Sequence, residues 1–222
     1  MKKTTLFDII SPIMIGPSSS HTAGAVRLGL LARHIYKETP KSVKFTLYNS
    51  YAHTGKGHGT EKGLLAGILG LDVDDRRIKD IFNSDLAKNI EYSFKYTDNI
   101  KRHPNAVDIE IDGKTKMFLS GDSVGAGEVA IRKINDFSVK LTGRYNNLIL
   151  VYKDKPGMIS KVTYLLQREG INIAYLNCDR NAKGQKASMV IEIDGDLQSA
   201  VETVILHMPD VYFVTYVKKL EN

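Results

Sequence analysis

Leu148-Ile149-Leu150-Val151-Tyr152-Lys153-Asp154-Lys155-Pro156-Gly157-Met158-Ile159 passes from an apolar run, through a turn, into helical spacing. Leu148 to Tyr152 has strand character, Lys153 to Gly157 supplies the turn, and the proline stands near a helix start. Met158, Ile159, Val162, Leu165 and Leu166 then share one face of a helix that stops at Gly170. Ile171 to Asp179 reads as a second strand, Asn181 to Gln185 as a polar turn, and Ala187 to Ile193 as a third strand closing at Asp194-Gly195. Leu197, Ala200, Val201, Val204 and Ile205 make another helical face, and Val211 to Val217 a fourth strand. The order β-α-β-β-α-β predicts a ferredoxin-like sheet with both helices on one face, over residues 147–222.

Upstream, residues 1–140 form a different unit, so the chain as a whole is α+β. Gly16-Pro17-Ser18-Ser19-Ser20-His21-Thr22-Ala23-Gly24 precedes Ala25, Leu28, Leu31, Ala32 and Ile35 at helical spacing. Serine or threonine ahead of such a pattern is an N-cap signal, and free N–H groups at a helix start receive anions. Lys44 to Tyr51 reads as a strand and Thr60 to Gly70 as a helix, with Gly59, Gly63 and Gly67 permitting close backbone approach. Arg76 to Ile90 reads as a more polar helix and Glu91 to Thr97 as a strand. Val107, Ile109 and Ile111 alternate with acids ahead of Asp112-Gly113, a type I′ turn signal, with a return strand at Lys116 to Ser120. Val129 to Ile134 closes the domain, and Phe137 to Asn147 is expected to be a linker.

Of the 222 residues, 25% are charged and 42% hydrophobic, as in an ordinary globular chain. The net charge of +6 is dispersed among acids, with no basic run longer than Arg76-Arg77 or Lys218-Lys219, so nucleic-acid binding is not expected. The longest apolar run, Gly63 to Leu71, is far too short for a membrane span. The start has two lysines but no apolar stretch before Asp8, so no signal peptide is expected. Cys178 is the sole cysteine, which excludes an internal disulfide and points to a reducing cytoplasm.

Chemistry concentrates in two stretches besides the serine-rich one. Ser50-Tyr51-Ala52-His53-Thr54-Gly55-Lys56-Gly57-His58-Gly59-Thr60 reads as a glycine-rich loop between a strand end and a helix start. Gly121-Asp122-Ser123-Val124-Gly125-Ala126-Gly127-Glu128 is the other; it lacks the third glycine and the context of a dinucleotide fingerprint. No phosphate-binding P-loop is present, because His58 stands where that motif has its lysine. His21, His53 and His58 lack an acidic ligand pattern and helical i, i+4 spacing, so no metal site is expected on this chain. A serine nucleophile lacks its strand–turn–helix setting. Proton transfer by histidine and carboxylate orientation by hydroxyls are the better roles.

Residues 147–222, with Asp154-Lys155-Pro156-Gly157 at the first strand–helix junction and Asn172 before the next strand, resemble an ACT domain. That resemblance implies amino-acid sensing, pairing of modules between chains, and an effector seat at Asp154 and Gly157 opposite Asn172. Ser11-Pro12, Ile15 to Thr22, then Thr54 to Thr60, then the ACT-like module together resemble the beta chain of iron–sulfur-dependent L-serine dehydratase. The first domain is also similar to an extra substrate-binding domain of some phosphoglycerate dehydrogenases.

The dehydratase resemblance implies conversion of L-serine to pyruvate and ammonium, with an alpha chain as partner. The alpha chain would hold a [4Fe-4S] cluster whose open iron acts as a Lewis acid on the substrate hydroxyl. On this chain it implies His58 as first choice for the base and His21 as a proton-handling or carboxylate-binding group. Ser18, Ser19, Ser20 and Thr22, with Thr54, Gly55 and Lys56, would bind substrate. The competing reading is a non-catalytic regulator made of two amino-acid-binding modules.

Overall fold

The computed structural model describes residues 13–220, so Ser11 and Pro12 lie outside the described residues. Two compact units are present, one ending at Asn135 and one running from Asp136.

In the first unit a π-helical turn, Ser19–Ala23, runs into α1 (Gly24–Tyr36). It is followed by β1 (Ser42–Tyr48), α2 (Ser50–His58), α3 (Thr60–Ile68), a 3-10 segment (Arg76–Asn83), α4 (Asp85–Lys88) and β2 (Glu91–Thr97). β3 (Ala106–Asp112), β4 (Lys116–Gly125) and β5 (Glu128–Ile134) complete it. Strand order within this unit is β2-β1-β3-β4-β5. β1 and β2 are parallel, which is why a long helical crossover separates them in sequence; the other pairs are antiparallel. Val43, Phe45 and Leu47 of β1 lie on one face with Ile109 and Ile111 of β3, all buried.

Helix α1 packs against this sheet and against α3. Leu28 lies over Gly121 of β4, where a Cβ would come within 2.8 Å of the leucine side chain. Against α3 the contact is backbone to backbone. A Cβ on Gly67 would stand on the Val26 carbonyl, one on Gly29 on the Leu64 carbonyl, and one on Gly63 would lie 2.8 Å from the Thr22 carbonyl.

The second unit opens with β6 (Phe137–Leu141) and continues through β7 (Asn146–Lys153), α5 (Met158–Arg168), β8 (Ile173–Arg180), β9 (Lys186–Ile193), α6 (Ser199–Leu206) and β10 (Val211–Val217). The sheet order β10-β7-β9-β8, all antiparallel, is the ferredoxin-like arrangement read from the sequence. One core joins alternate residues of the sheet (Leu148, Leu150, Met189, Ile191, Val214) to Met158, Val162 and Leu166 of α5 and Val201 and Ile205 of α6.

Several local expectations are corrected. Phe137 to Leu141 is strand, not linker: Phe137, Val139 and Leu141 are buried while Ser138 and Lys140 are exposed, a period of two. The segment from Arg76 to Ile90 is not one helix, because Ser84 is extended and caps the short α4 through Ala87 N–H. Asp112-Gly113 is a hairpin but not a type I′ turn. Three residues separate the paired Asp112 and Lys116, and Tyr36 of α1 donates to the Thr115 carbonyl within that loop. The two-residue turn with positive φ at both centres is Ala126-Gly127 (φ 50 and 80), between the paired Gly125 and Glu128. Ile159 and Val204, placed on buried helical faces by spacing, are 46% and 52% exposed.

The α1–α3 contact predicts opposite outcomes for two glycines. Gly67→Ala must separate the helix backbones and should cost at least about 2 kcal/mol. Gly57→Ala meets nothing within 4 Å inside a helix and should add roughly 0.5–1 kcal/mol. Urea denaturation of the full chain measures both. Equal effects would mean that the helix contact is not tight.

Candidate functional site

The parallel strands β1 and β2 end side by side, with Asn49 N–H donating to the Thr97 carbonyl at 3.1 Å. Asn49 takes a left-handed φ of 50° and turns the chain at once into α2. Its side-chain amide donates to the carbonyls of Asn99, Arg102 and His103, which ties the segment after β2 to the start of that helix. The stretch from Ser50 to His58, read as a loop, is therefore helical despite Gly55 and Gly57. Burial of Tyr51 and Gly55 outweighs about 1 kcal/mol of lost propensity per glycine. Gly59, at φ 73°, ends α2 and opens α3.

Helical geometry puts Ser50, Thr54 and His58 at i, i+4 and i+8 on one face. That face meets the turn before α1. Ser18 caps the turn, its hydroxyl accepting from His21 N–H at 3.1 Å. Ser19 and Ser20 occupy its first positions, where backbone N–H groups have no intrahelical partner. The His21 and His58 ring centroids stand 5.1 Å apart. Thr22 is buried, and its hydroxyl donates to the His58 carbonyl at 2.7 Å, so it joins the two segments from inside.

Hydrogen bonding assigns the imidazole tautomers. His58 Nδ1 lies 3.0 Å from the Thr54 carbonyl, which only accepts; the proton is on Nδ1 and the neutral ring keeps a lone pair on Nε2. The Thr54 hydroxyl donates to the Ser50 carbonyl at 2.8 Å, leaving Oγ1 to accept from His21 Nε2 at 2.9 Å, with Ser50 Oγ at 3.2 Å. His21 therefore carries its proton on Nε2 and its lone pair on Nδ1. Burial first, and the His58 charge second, hold the His21 pKa below its ordinary 6.5.

Gly55 is buried, where a Cβ would lie 3.2 Å from the Thr60 side chain. Lys56 is exposed, with its ammonium over the Tyr96 ring at 5.3 Å. His53 pairs with exposed Asp98 at 2.7 Å. Tyr51 of α2 and Ser123 of β4 contact the serine-rich turn and carry no role in the sequence reading, and no local pattern marks them, because their meeting with the turn is nonlocal. The stretch from Gly121 to Glu128 is the β4–β5 hairpin.

In the second unit, Asp154 accepts from Gly184 N–H at 3.0 Å and pairs with Arg180, while Asn172 donates to Asp194 at 2.8 Å. Gly157, at φ 90°, caps the start of α5 and Asn172 follows its end. The 11 residues of that helix put about 16 Å between the two. One chain does not bring them together.

No helix among the described residues is long and apolar enough to cross a membrane. No group of three or more His, Cys, Asp or Glu among them is arranged to hold a metal ion. Cys178 stands exposed on β8, with its pKa pushed up by partial burial of the thiol. This donor set does not fit an iron–sulfur cluster, which needs several thiolates.

Fold and site together define a two-domain α+β protein, with a paired-histidine site at a helix start and a separate ferredoxin-like ACT module. Residues 5–133 match the serine dehydratase beta chain family, and residues 148–213 match an AHAS small subunit-like ACT domain. The chain belongs to the serine dehydratase beta chain family. It is 38% identical to a probable L-serine dehydratase beta chain of Bacillus subtilis, over 97% of this chain and 98% of that one. It is 37% identical to the L-serine dehydratase beta chain of Peptoniphilus asaccharolyticus, over 93% and 94% respectively. A D-3-phosphoglycerate dehydrogenase of Bacillus subtilis is 24% identical over 86% of this chain and 36% of that enzyme.

The lowered His21 pKa makes a stability prediction. Below pH 6.5 the unfolded chain binds a proton that folded His21 resists, so this contribution is complete above 6.5 and is lost as pH falls beneath it. Melting temperature should fall between pH 7.5 and 5.5, and less steeply in His21→Gln. Identical slopes would show that His21 titrates as it does in the unfolded chain.

Proposed function

We propose that this chain is the beta subunit of an L-serine dehydratase, which converts L-serine to pyruvate and ammonium and is active only with an alpha chain. The observation that carries the reading is the pair of histidines, with complementary tautomers, beside the helix start that presents Ser18, Ser19 and Ser20. Family membership supports it. The [4Fe-4S] cluster belongs to the alpha chain in this reading, because the donors here do not fit one. The single thiol also favours a reducing, cytoplasmic setting.

The substrate carboxylate docks on the N–H groups of Ser19 and Ser20, assisted by the hydroxyls of Ser18, Ser19 and Ser20 and by the positive end of the helix dipole. His58 Nε2, with its lone pair free and its ring held by the Thr54 carbonyl, takes the α-proton. His21 is neutral at working pH and moves a proton at Nδ1. Thr54 orients both rings, and Thr22 holds the two segments in register. Gly55 lets α2 pack against Thr60, and exposed Lys56 stands over the Tyr96 ring. The ACT module pairs between chains, so that Asp154 and Gly157 of one copy and Asn172 of another form an effector seat for an amino acid.

Co-purification with the alpha chain, followed by an anaerobic assay for pyruvate from L-serine, tests the reading. The isolated chain should be inactive and the complex active. Cluster and turnover on this chain alone would overturn the two-chain assignment, and a complex that binds L-serine without converting it would favour a regulator. In the active complex, His58→Ala and His21→Ala should each lower kcat on the order of a hundredfold. Ser19→Ala should act mainly on KM, by about tenfold, for one charge-assisted hydrogen bond. Asn172→Ala should flatten any curvature in the L-serine dependence and leave the saturated rate intact; unchanged curvature would remove Asn172 from an effector seat.

A further inference from the structure

Two hydroxyls from different elements converge on one backbone carbonyl of the serine-rich turn. Tyr51 of α2 is fully buried and donates to the Ser20 carbonyl at 2.9 Å. Ser123 of β4 is equally buried and donates to the same oxygen at 2.8 Å. A Cβ on Gly24 would collide with the Ser123 hydroxyl, so α1 begins on a residue small enough to admit it. The Tyr51 ring also packs on His21, with centroids 5.3 Å apart and planes at 58°. Burial keeps the Tyr51 phenol protonated far above its ordinary range, so it is a fixed donor and no acid or base.

One donor satisfies a buried carbonyl. Two donors occupy both lone pairs and fix its orientation, and each costs desolvation that Phe or Ala would avoid. The Ser20 carbonyl and the His21 N–H share a peptide plane, so fixing the oxygen fixes the plane from which His21 departs. It also holds the turn whose Ser18 carbonyl receives Thr22 N–H at 2.8 Å and Ala23 N–H at 3.3 Å. A π-turn departs from regular α-helical bonding, and such turns recur where function needs a set geometry.

We propose that Tyr51 and Ser123 are positioning residues of the substrate site: they clamp the Ser20 carbonyl and thereby aim the Ser19 and Ser20 N–H groups and the His21 ring. This rests on the reading of the turn as the substrate carboxylate seat. Neither residue touches substrate. Their effect is on how well the seat is formed before substrate arrives, which appears in KM more than in kcat.

The test uses the complex with the alpha chain, and the full chain by itself. In the complex, Tyr51→Phe and Ser123→Ala should each raise KM for L-serine about threefold to tenfold with kcat within twofold. The double variant should lose more than the product of the singles, because only then does the carbonyl lose both partners. In the free chain, amide hydrogen exchange at Thr22 and Ala23 should quicken measurably in each single variant and at least tenfold in the double, while α3 keeps its wild-type rates. Unchanged KM and unchanged exchange would overturn the proposal. So would faster exchange across the whole first unit with normal KM, which marks hydroxyls that only support the core. If the double variant does not fold, the single variants decide by the same criteria. A wild-type complex that makes no pyruvate from L-serine defeats the functional reading instead, and the exchange rates then decide whether the two hydroxyls hold the turn.

Discussion

Helices α1 and α3 touch backbone to backbone, and the site depends on that contact. Gly29, Gly63 and Gly67 remove Cβ atoms that would keep the axes apart, so carbonyls of one helix lie where side chains of the other would stand. The approach is tightest where Gly67 meets Val26, and it is still close near the beginnings of the two helices, where a Cβ on Gly63 would lie 2.8 Å from the Thr22 carbonyl. Thr22, at the start of α1, thereby reaches the carbonyl of His58, the last residue before the Gly59 turn into α3. A larger residue at Gly63 or Gly67 would have to push the helices apart, and with them the serine-rich turn from α2.

What the contact brings together is complementary in proton inventory. Each imidazole has one nitrogen committed to α2: His58 Nδ1 to the Thr54 carbonyl, and His21 Nε2 to the Thr54 hydroxyl. Each is left with one lone pair. A single threonine thus sets both tautomers, using its carbonyl for one ring and its hydroxyl for the other. Partial burial and the neighbouring His58 charge disfavour a proton on His21, so the pair does not hold two positive charges beside the anion-receptive helix start. Tyr51 and Ser123 hold the other side of the same turn through the Ser20 carbonyl.

The ferredoxin-like order was legible because each of its elements has a clean period bounded by turn residues, from Leu148 to Val217. The serine-rich helix start and both histidines were legible for a related reason, since local chemistry marks a cap and a proton carrier. Features that rest on nonlocal contacts were not. Gly55 and Gly57 argue against a helix over Ser50–His58 until the burial of Tyr51 is known. Asp112-Gly113 has the composition of a tight turn, but Tyr36 of a distant helix holds a longer loop open there. Ile159 and Val204 have helical spacing yet face outward, because spacing fixes which residues share a face and not how wide a stripe the sheet covers.

By itself the sequence determined the class of each domain, the family, the residue types at the site and the incapacity of one cysteine to hold a cluster. The domain classes and the limit of one cysteine follow from period, composition and covalent chemistry, and the family from the resemblance of short motifs, all of which are local. Only the tertiary structure decided that His21 and His58 meet and which nitrogen of each carries the proton. These are distances between segments far apart in the chain. Such distances are set by how closely two backbones can approach, and the glycine contact between α1 and α3 sets them here.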